Sequence, residues 1–183
     1  MYKKARELLI MTEKQKIVLG ELEYVDFLTL PYKSVPAKID TGAKASSVWA
    51  SKITMTEDGE LRFVLFGEGS PFYTGKIIKR RDYRVAIVRN STGLEQIRYQ
   101  TNLKIRLKGQ TIDTPFNLSD RSRNNFPILI GNQTISGRFV VDVSQAAMKH
   151  PKHDKKTSNE TSLNDELAKN PYEFHQKYKK IGE

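Results

Sequence analysis

Val35-Pro36-Ala37-Lys38-Ile39-Asp40-Thr41-Gly42-Ala43-Lys44-Ala45-Ser46-Ser47 is the stretch on which the reading of this chain turns. A short apolar run enters Asp-Thr-Gly-Ala and leaves through small hydroxyl residues. Val35 to Ile39 reads as a strand that delivers Asp40, and Thr41-Gly42 turns the chain at once. Gly42 has no Cβ, so the backbone can bend sharply there and another segment can come close. An aspartate on a tight turn at the end of a buried strand is held rigidly and points outward. Hydrolysis with a carboxylate base needs that geometry. Asp-Thr-Gly alone is also an ordinary turn tripeptide. Two features set it apart: the strand before it, and Phe126-Pro127-Ile128-Leu129-Ile130-Gly131 far downstream.

Working outward, Ile17 to Leu30 sets Leu19, Leu22, Val25, Phe27 and Leu30 against Glu21, Glu23 and Asp26, which predicts one or two strands. Strand character resumes at Ser47-Val48-Trp49-Ala50 and Ile53. Glu57-Asp58-Gly59-Glu60 signals a hairpin into Leu61 to Phe66. Further strands are predicted over Lys76 to Arg81, Tyr83 to Val88, Glu95 to Tyr99, Leu103 to Leu107 and Thr111 to Leu118. Asn132 to Ser136 reads as a helical turn, and Phe139 to Val143 as the last strand. Short strands with turns every eight to twelve residues or so indicate an all-β barrel or sandwich.

The organisation predicted is an N-terminal arm over 1–16, a β-domain over 17–146 and a polar tail over 147–183. The arm begins with basic residues before Leu8-Leu9-Ile10-Met11, a run too short for a secretory signal and followed directly by charge, so Met11 is an alternative start. The tail is polar around His150 to Glu160. Leu163, Leu167 and Tyr172 then follow at helical spacing, which predicts a partly helical tail or an arm to a partner subunit. No apolar run approaches a membrane-spanning length, and a cytoplasmic location is expected, with the periplasm as the alternative. There is no cysteine, which removes disulfides and thiolate metal sites.

At this point the chain resembles the retropepsin-like aspartic proteases, which pair an Asp-Thr-Gly-Ala turn with a later apolar-apolar-Gly segment passing under it. More closely it is similar to the bacterial and archaeal group labelled "ATP-dependent zinc protease". Members of that group are encoded near ATP-grasp ligases that add glutamate to a ribosomal protein. Lys38 to Ser47, Asp120 to Gly131 and Gly137 to Val143 carry the resemblance, which covers about residues 17 to 145. It implies a closed, single-lobed acid-protease β-barrel. It also implies an aspartic peptidase with Asp40, Thr41 and Gly42 as the catalytic turn. Ala43 would leave room for substrate, Gly131 would let its strand pass close, and Arg89 would stand at a lid hairpin around Arg89 to Gly93. The loop from Gly67 to Gly75 is the second lid candidate. The family pattern has a leucine-histidine pair where Val48-Trp49 stands and an arginine where Asn132 stands.

An aspartic hydrolase needs two carboxylates that share one proton. This chain has one Asp-Thr-Gly. Asp113-Thr114-Pro115 lacks the glycine, and Asp142, between valines, reads as a strand residue. The second carboxylate must therefore come from a second copy across a two-fold axis. Thr41 would bond across that axis or locally within its turn.

No cofactor and no metal are expected. The histidines are His150, His153 and His175, all in the tail, and Pro151 interrupts the first pair. No phosphate-cradling loop with lysine is present, so ATP use is not visible. The net charge is +10, with 23 Lys and Arg against 15 Asp and Glu through Ala146, so the excess sits on the β-domain. That suggests an anionic partner: an acidic peptide or protein substrate, nucleic acid or a membrane surface, and Arg80, Arg81, Arg84, Arg89 and Arg98 are candidates to meet an acidic peptide. Two other readings compete with a peptidase. One is a binding module for acidic or glutamate-modified tails. The other is a nucleic-acid-binding β-domain, against which stands the lack of aromatics interleaved with the basic residues. The expected assembly is a homodimer with a functional link to a glutamate ligase.

Overall fold

The structure, a computed structural model, describes residues 16–89, 95–149, 169, 170 and 173. Residues 1–149 and 150–183 form two separate units. In the second, Lys169 and Glu173 are helical, and the Glu173 amide donates to Asn170 Oδ1 at 3.2 Å. Leu163, Leu167, Tyr172, the three histidines and the N-terminal arm through residue 15 lie outside the described residues.

The first unit consists of β1 (Ile17–Leu19), β2 (Leu22–Phe27), β3 (Val35–Ile39), β4 (Ser46–Met55), β5 (Leu61–Leu65), β6 (Ile77–Arg80), β7 (Arg84–Arg89), β8 (Glu95–Leu107), β9 (Gln110–Ser119), β10 (Ile128–Ile130), α1 (Asn132–Ile135) and β11 (Phe139–Val141). The order β10-β3-β2-β8-β9-β4, with β4 returning to β10, closes a six-stranded barrel. Closure removes the exposed sheet edges that an open sheet of these strands would leave. The seam strand β10 runs parallel to β3 (Ile130 opposite Ile39) and antiparallel to β4 (Ile128 opposite Val48).

Alternation directs one side of each strand inward. Val25, Phe27, Val35, Ala37, Ile105, Leu107, Phe116, Leu118, Ile128 and Ile130 are buried and pack into one core. Lys108 and Gly109, at φ 47° and 78°, join β8 to β9. Positive φ at both central residues is the two-residue turn whose twist suits a hairpin. In β4 the register against β5 shifts between Ser51 and Thr54, and Lys52 lies at φ 51°. β4 leaves β9 after Trp49 and pairs with β5, which in turn pairs with β6, and the bulge lies within the β4–β5 pairing.

Three local readings change. Ile17 to Leu30 forms two strands in different sheets, because β1 pairs with β11 while β2 enters the barrel. Glu95 to Tyr99 and Leu103 to Leu107 are one thirteen-residue strand. Asp142 is not a strand residue: it follows β11 and accepts bonds from the Ser144 amide and hydroxyl and from Gln145. The Gln145 carbonyl then accepts from Glu21 N at 2.7 Å. Past the barrel rim, β7 and the start of β8 form a two-stranded ribbon with Val85, Ile87 and Ile97 exposed at 57%, 70% and 75%. Among the described residues no helix is long and apolar enough to cross a membrane.

Candidate active site

Asp40 sits where β3 ends, half-buried, with its backbone amide bonded to Ile130 O at 2.9 Å. The parallel register of β3 and β10 puts it there. Its carboxylate is fixed by its own turn, since the amides of Gly42 and Ala43 both donate to Oδ1 at 3.1 Å. Oδ2 is left for other partners. Thr41 and Gly42 are exposed and Ala43 is half-buried.

The turn is pinned from below by the segment that follows β10. Asn132 N donates to Ala43 O at 2.7 Å, and Gln133 N to Lys44 O at 3.0 Å. These are free amides of the first turn of α1, which a helix cannot satisfy internally. Gly131 is the point of closest approach. A Cβ there would lie 2.5 Å from Ala45 C and 2.9 Å from Ala43 O, distances that no side chain tolerates. The structure thus brings Asp40, Ala43 and Gly131 together. Arg89 closes β7 opposite Glu95, but its side chain and residues 90–94, the tip of the candidate lid, lie outside the described residues.

Beneath the turn lies a chain of buried hydroxyls that sequence reading missed. Ser46 Oγ bonds Thr134 Oγ1 at 2.7 Å, Thr134 bonds Thr114 Oγ1 at 2.9 Å, and Ser46 Oγ accepts from Gly131 N at 3.1 Å. Three elements, β4, β9 and α1, are tied at one point together with the Gly131 amide. The only signal was the run of small hydroxyl residues leaving Asp-Thr-Gly. At the departures from the family pattern, Trp49 packs its ring on Gly67, where a Cβ would meet Cζ2 at 2.5 Å, and Asn132 uses its backbone rather than its exposed side chain.

Arg81 pairs with Asp58 at the β4–β5 hairpin. Arg98 sits on β8, half-buried, and donates to Gln96 Oε1 at 2.7 Å. Arg121, not singled out in the sequence, is 9% exposed, and its Nε donates to Phe126 O at 3.0 Å. Burial holds its guanidinium below the usual arginine range; nearby Arg98 pushes the same way, and Asp40 opposes them. Among the described residues no cluster of His, Cys, Asp and Glu could hold a metal ion.

A closed six-stranded barrel with an Asp-Thr-Gly turn wedged against an Ile-Leu-Ile-Gly strand is the architecture of a retropepsin-like protein. The family described as "Retropepsin-like aspartic endopeptidase RimB" matches residues 18–152, and the chain belongs to this RimB-like family. It is also 30% identical over 132 residues to a probable alpha-L-glutamate ligase of Desulfotalea psychrophila and 27% identical to one of Parasynechococcus marenigrum. Those matches cover 69% and 70% of this chain but only 28% of each relative. A solved Legionella pneumophila protein of unknown function (DUF785) superposes with a TM-score of 0.54 at 25% identity, over 71% of this chain and 95% of that one.

Proposed function

We propose that this protein is an aspartic-type peptidase that works as a homodimer, each subunit lending one Asp40. The observation that carries this reading is the Asp40 carboxylate, held at Oδ1 by two amides of a turn that α1 and Gly131 lock from beneath. Side by side on a two-fold axis, two such carboxylates share one proton. The ionised one takes a proton from water as the water oxygen attacks the peptide carbonyl carbon. The protonated one donates to the carbonyl oxygen. The tetrahedral species then collapses, the C–N bond breaks and the nitrogen leaves protonated. Thr41 and Gly42 shape the turn, Ala43 leaves room for the peptide, Gly131 serves substrate binding by holding the turn from beneath, and Arg89 is assigned to substrate binding. Neither metal nor cofactor enters this chemistry.

The test is peptide cleavage at mildly acidic pH by the wild type and by Asp40→Asn. Turnover that survives this substitution overturns the assignment. The ligases among the relatives favour a glutamate-bearing protein tail as substrate and a functional link to such a ligase. A second reading is a module that holds such tails without cutting them, favoured by Trp49 and Asn132 at positions where the family pattern differs. Binding without turnover at every pH supports that reading.

A further inference from the structure

The barrel wall beside Asp40 has a polar outer face. On β9, Phe116 and Leu118 point into the core, so Asn117 and Ser119 point away from it, yet both are buried. Ser119 Oγ bonds Ser47 Oγ at 2.7 Å, and Asn117 Oδ1 accepts from Gln100 Nε2 at 2.9 Å. Ser47 lies opposite Leu129 on the seam strand, one residue before Ile130, whose carbonyl holds the Asp40 amide. This face therefore runs directly up to the turn. Two arginines extend it. Gln100 is opposite Asn117, so Arg98, two residues earlier on β8, continues the same face. Arg121 stands two residues beyond Ser119.

Arg121 is the residue that needs an explanation. A buried guanidinium ordinarily sits against a carboxylate. Among the described residues none lies within salt-bridge distance of Arg121 or Arg98, and the two cations disfavour each other. The Phe126 carbonyl takes only the Nε hydrogen. No side-chain nitrogen among the described residues is both fully buried and unpartnered, so the Arg121 Nη groups, which make no hydrogen bond among those residues, keep a small contact with solvent. A planar fork anchored at Nε with its Nη groups free is built to take a carboxylate from outside.

We propose that Arg121, with Arg98 beside it, forms a specificity subsite next to Asp40 that receives the side-chain carboxylate of a bound peptide. The incoming anion separates two like charges and supplies the partner that Arg121 lacks. The hydrogen-bonded Ser47–Ser119 and Gln100–Asn117 pairs make the barrel wall between the two arginines and the Asp40 seam polar. This inference rests on the reading of the Asp40 cleft as a peptide site.

The experiment uses the full chain and two fluorescent peptides that differ only by Glu→Gln at each acidic position. Binding is read by anisotropy on the Asp40→Asn protein at low salt, and cleavage on the protein with Asp40 intact. The expected result is at least about tenfold preference for the Glu peptide, one charged hydrogen-bonding contact being worth that much. Arg121→Gln collapses the preference to within about twofold, Arg121→Lys retains part of it, and Arg98→Gln weakens it. Arg98 is half-buried, so its replacement keeps the test open if the Arg121 variants misfold. Equal treatment of the two peptides by protein with Asp40 intact, in a protein that cuts both, overturns the subsite and leaves the peptidase standing. A preference that depends on Arg121 in a protein that cuts neither peptide upholds the subsite and overturns the peptidase.

Discussion

Gly131 and Ala45 approach so closely that a methyl group on the first would lie 2.5 Å from the carbonyl carbon of the second. The contact is backbone against backbone, so no side chain can swing aside. Gly131→Ala is expected to cost about 3 kcal/mol, at the upper end for overpacking. A thermal melt of the variant checks this. A melting point equal to wild type would show that the seam can widen, and that the turn is held less firmly than its hydrogen bonds indicate.

The hydroxyl chain beneath the turn gives a second expectation. Thr134 is fully buried and satisfies both Ser46 and Thr114. Thr134→Val keeps the shape but leaves two buried hydroxyls short of a partner, at a cost of about 2–3 kcal/mol. Urea denaturation of the two proteins measures the difference. Thr134→Ser, which keeps the hydroxyl, should recover most of the loss.

Asp40→Asn retains the side-chain oxygen that takes the two turn amides but cannot hold the shared proton. Cleavage should fall by about 10³-fold or more, within the range of general acid-base catalysis, while the melting point stays near wild type. Mixing equal amounts of wild type and Asp40→Asn, followed by subunit exchange, should leave about a quarter of the activity, because one quarter of random dimers carry two intact carboxylates. Activity that falls only to half would point to sites complete within one chain.

Asp142 supplies the pH dependence. Its carboxyl is held below its ordinary 3.8, first by the Ser144 hydroxyl, then by the Ser144 amide and Gln145. A folded-state value below the unfolded one means that the bonds stabilise the protein above about pH 4 and are lost as pH falls through the folded value. Asp142→Asn should therefore melt below wild type at neutral pH, and the gap should close in acid. A gap that stays constant from neutral pH to about pH 2 would assign the effect to something other than this charge.

The fold was legible wherever alternation ran uninterrupted and turn chemistry was explicit, as at Leu103 to Leu107 and Lys108-Gly109. β8 was read as two strands because Gln100 and Thr101 break the apolar alternation while being buried themselves. Their burial follows from pairing with β9, to which the local pattern is blind. The Asp40 turn and its Gly131 support were legible because both depend on backbone chemistry that only a few residues permit. Arg121 was not, since an arginine in a polar loop reads as solvated until the strands around it are placed. Asp142 misled for the opposite reason: its valine neighbours suggested a strand that ends one residue before it.

The seam strand β10 is three residues long and bonds to β3 and β4 at once. The wall that shuts the cylinder and the ledge under the Asp40 turn are therefore one object. A tight-binding occupant of that ledge should brace the whole cylinder, so its grip can be followed as added resistance to heat, with no turnover assay. The converse holds for inherited variation: an alteration along Ile128, Leu129 or Ile130 is felt twice, once by the container and once by what the container is for.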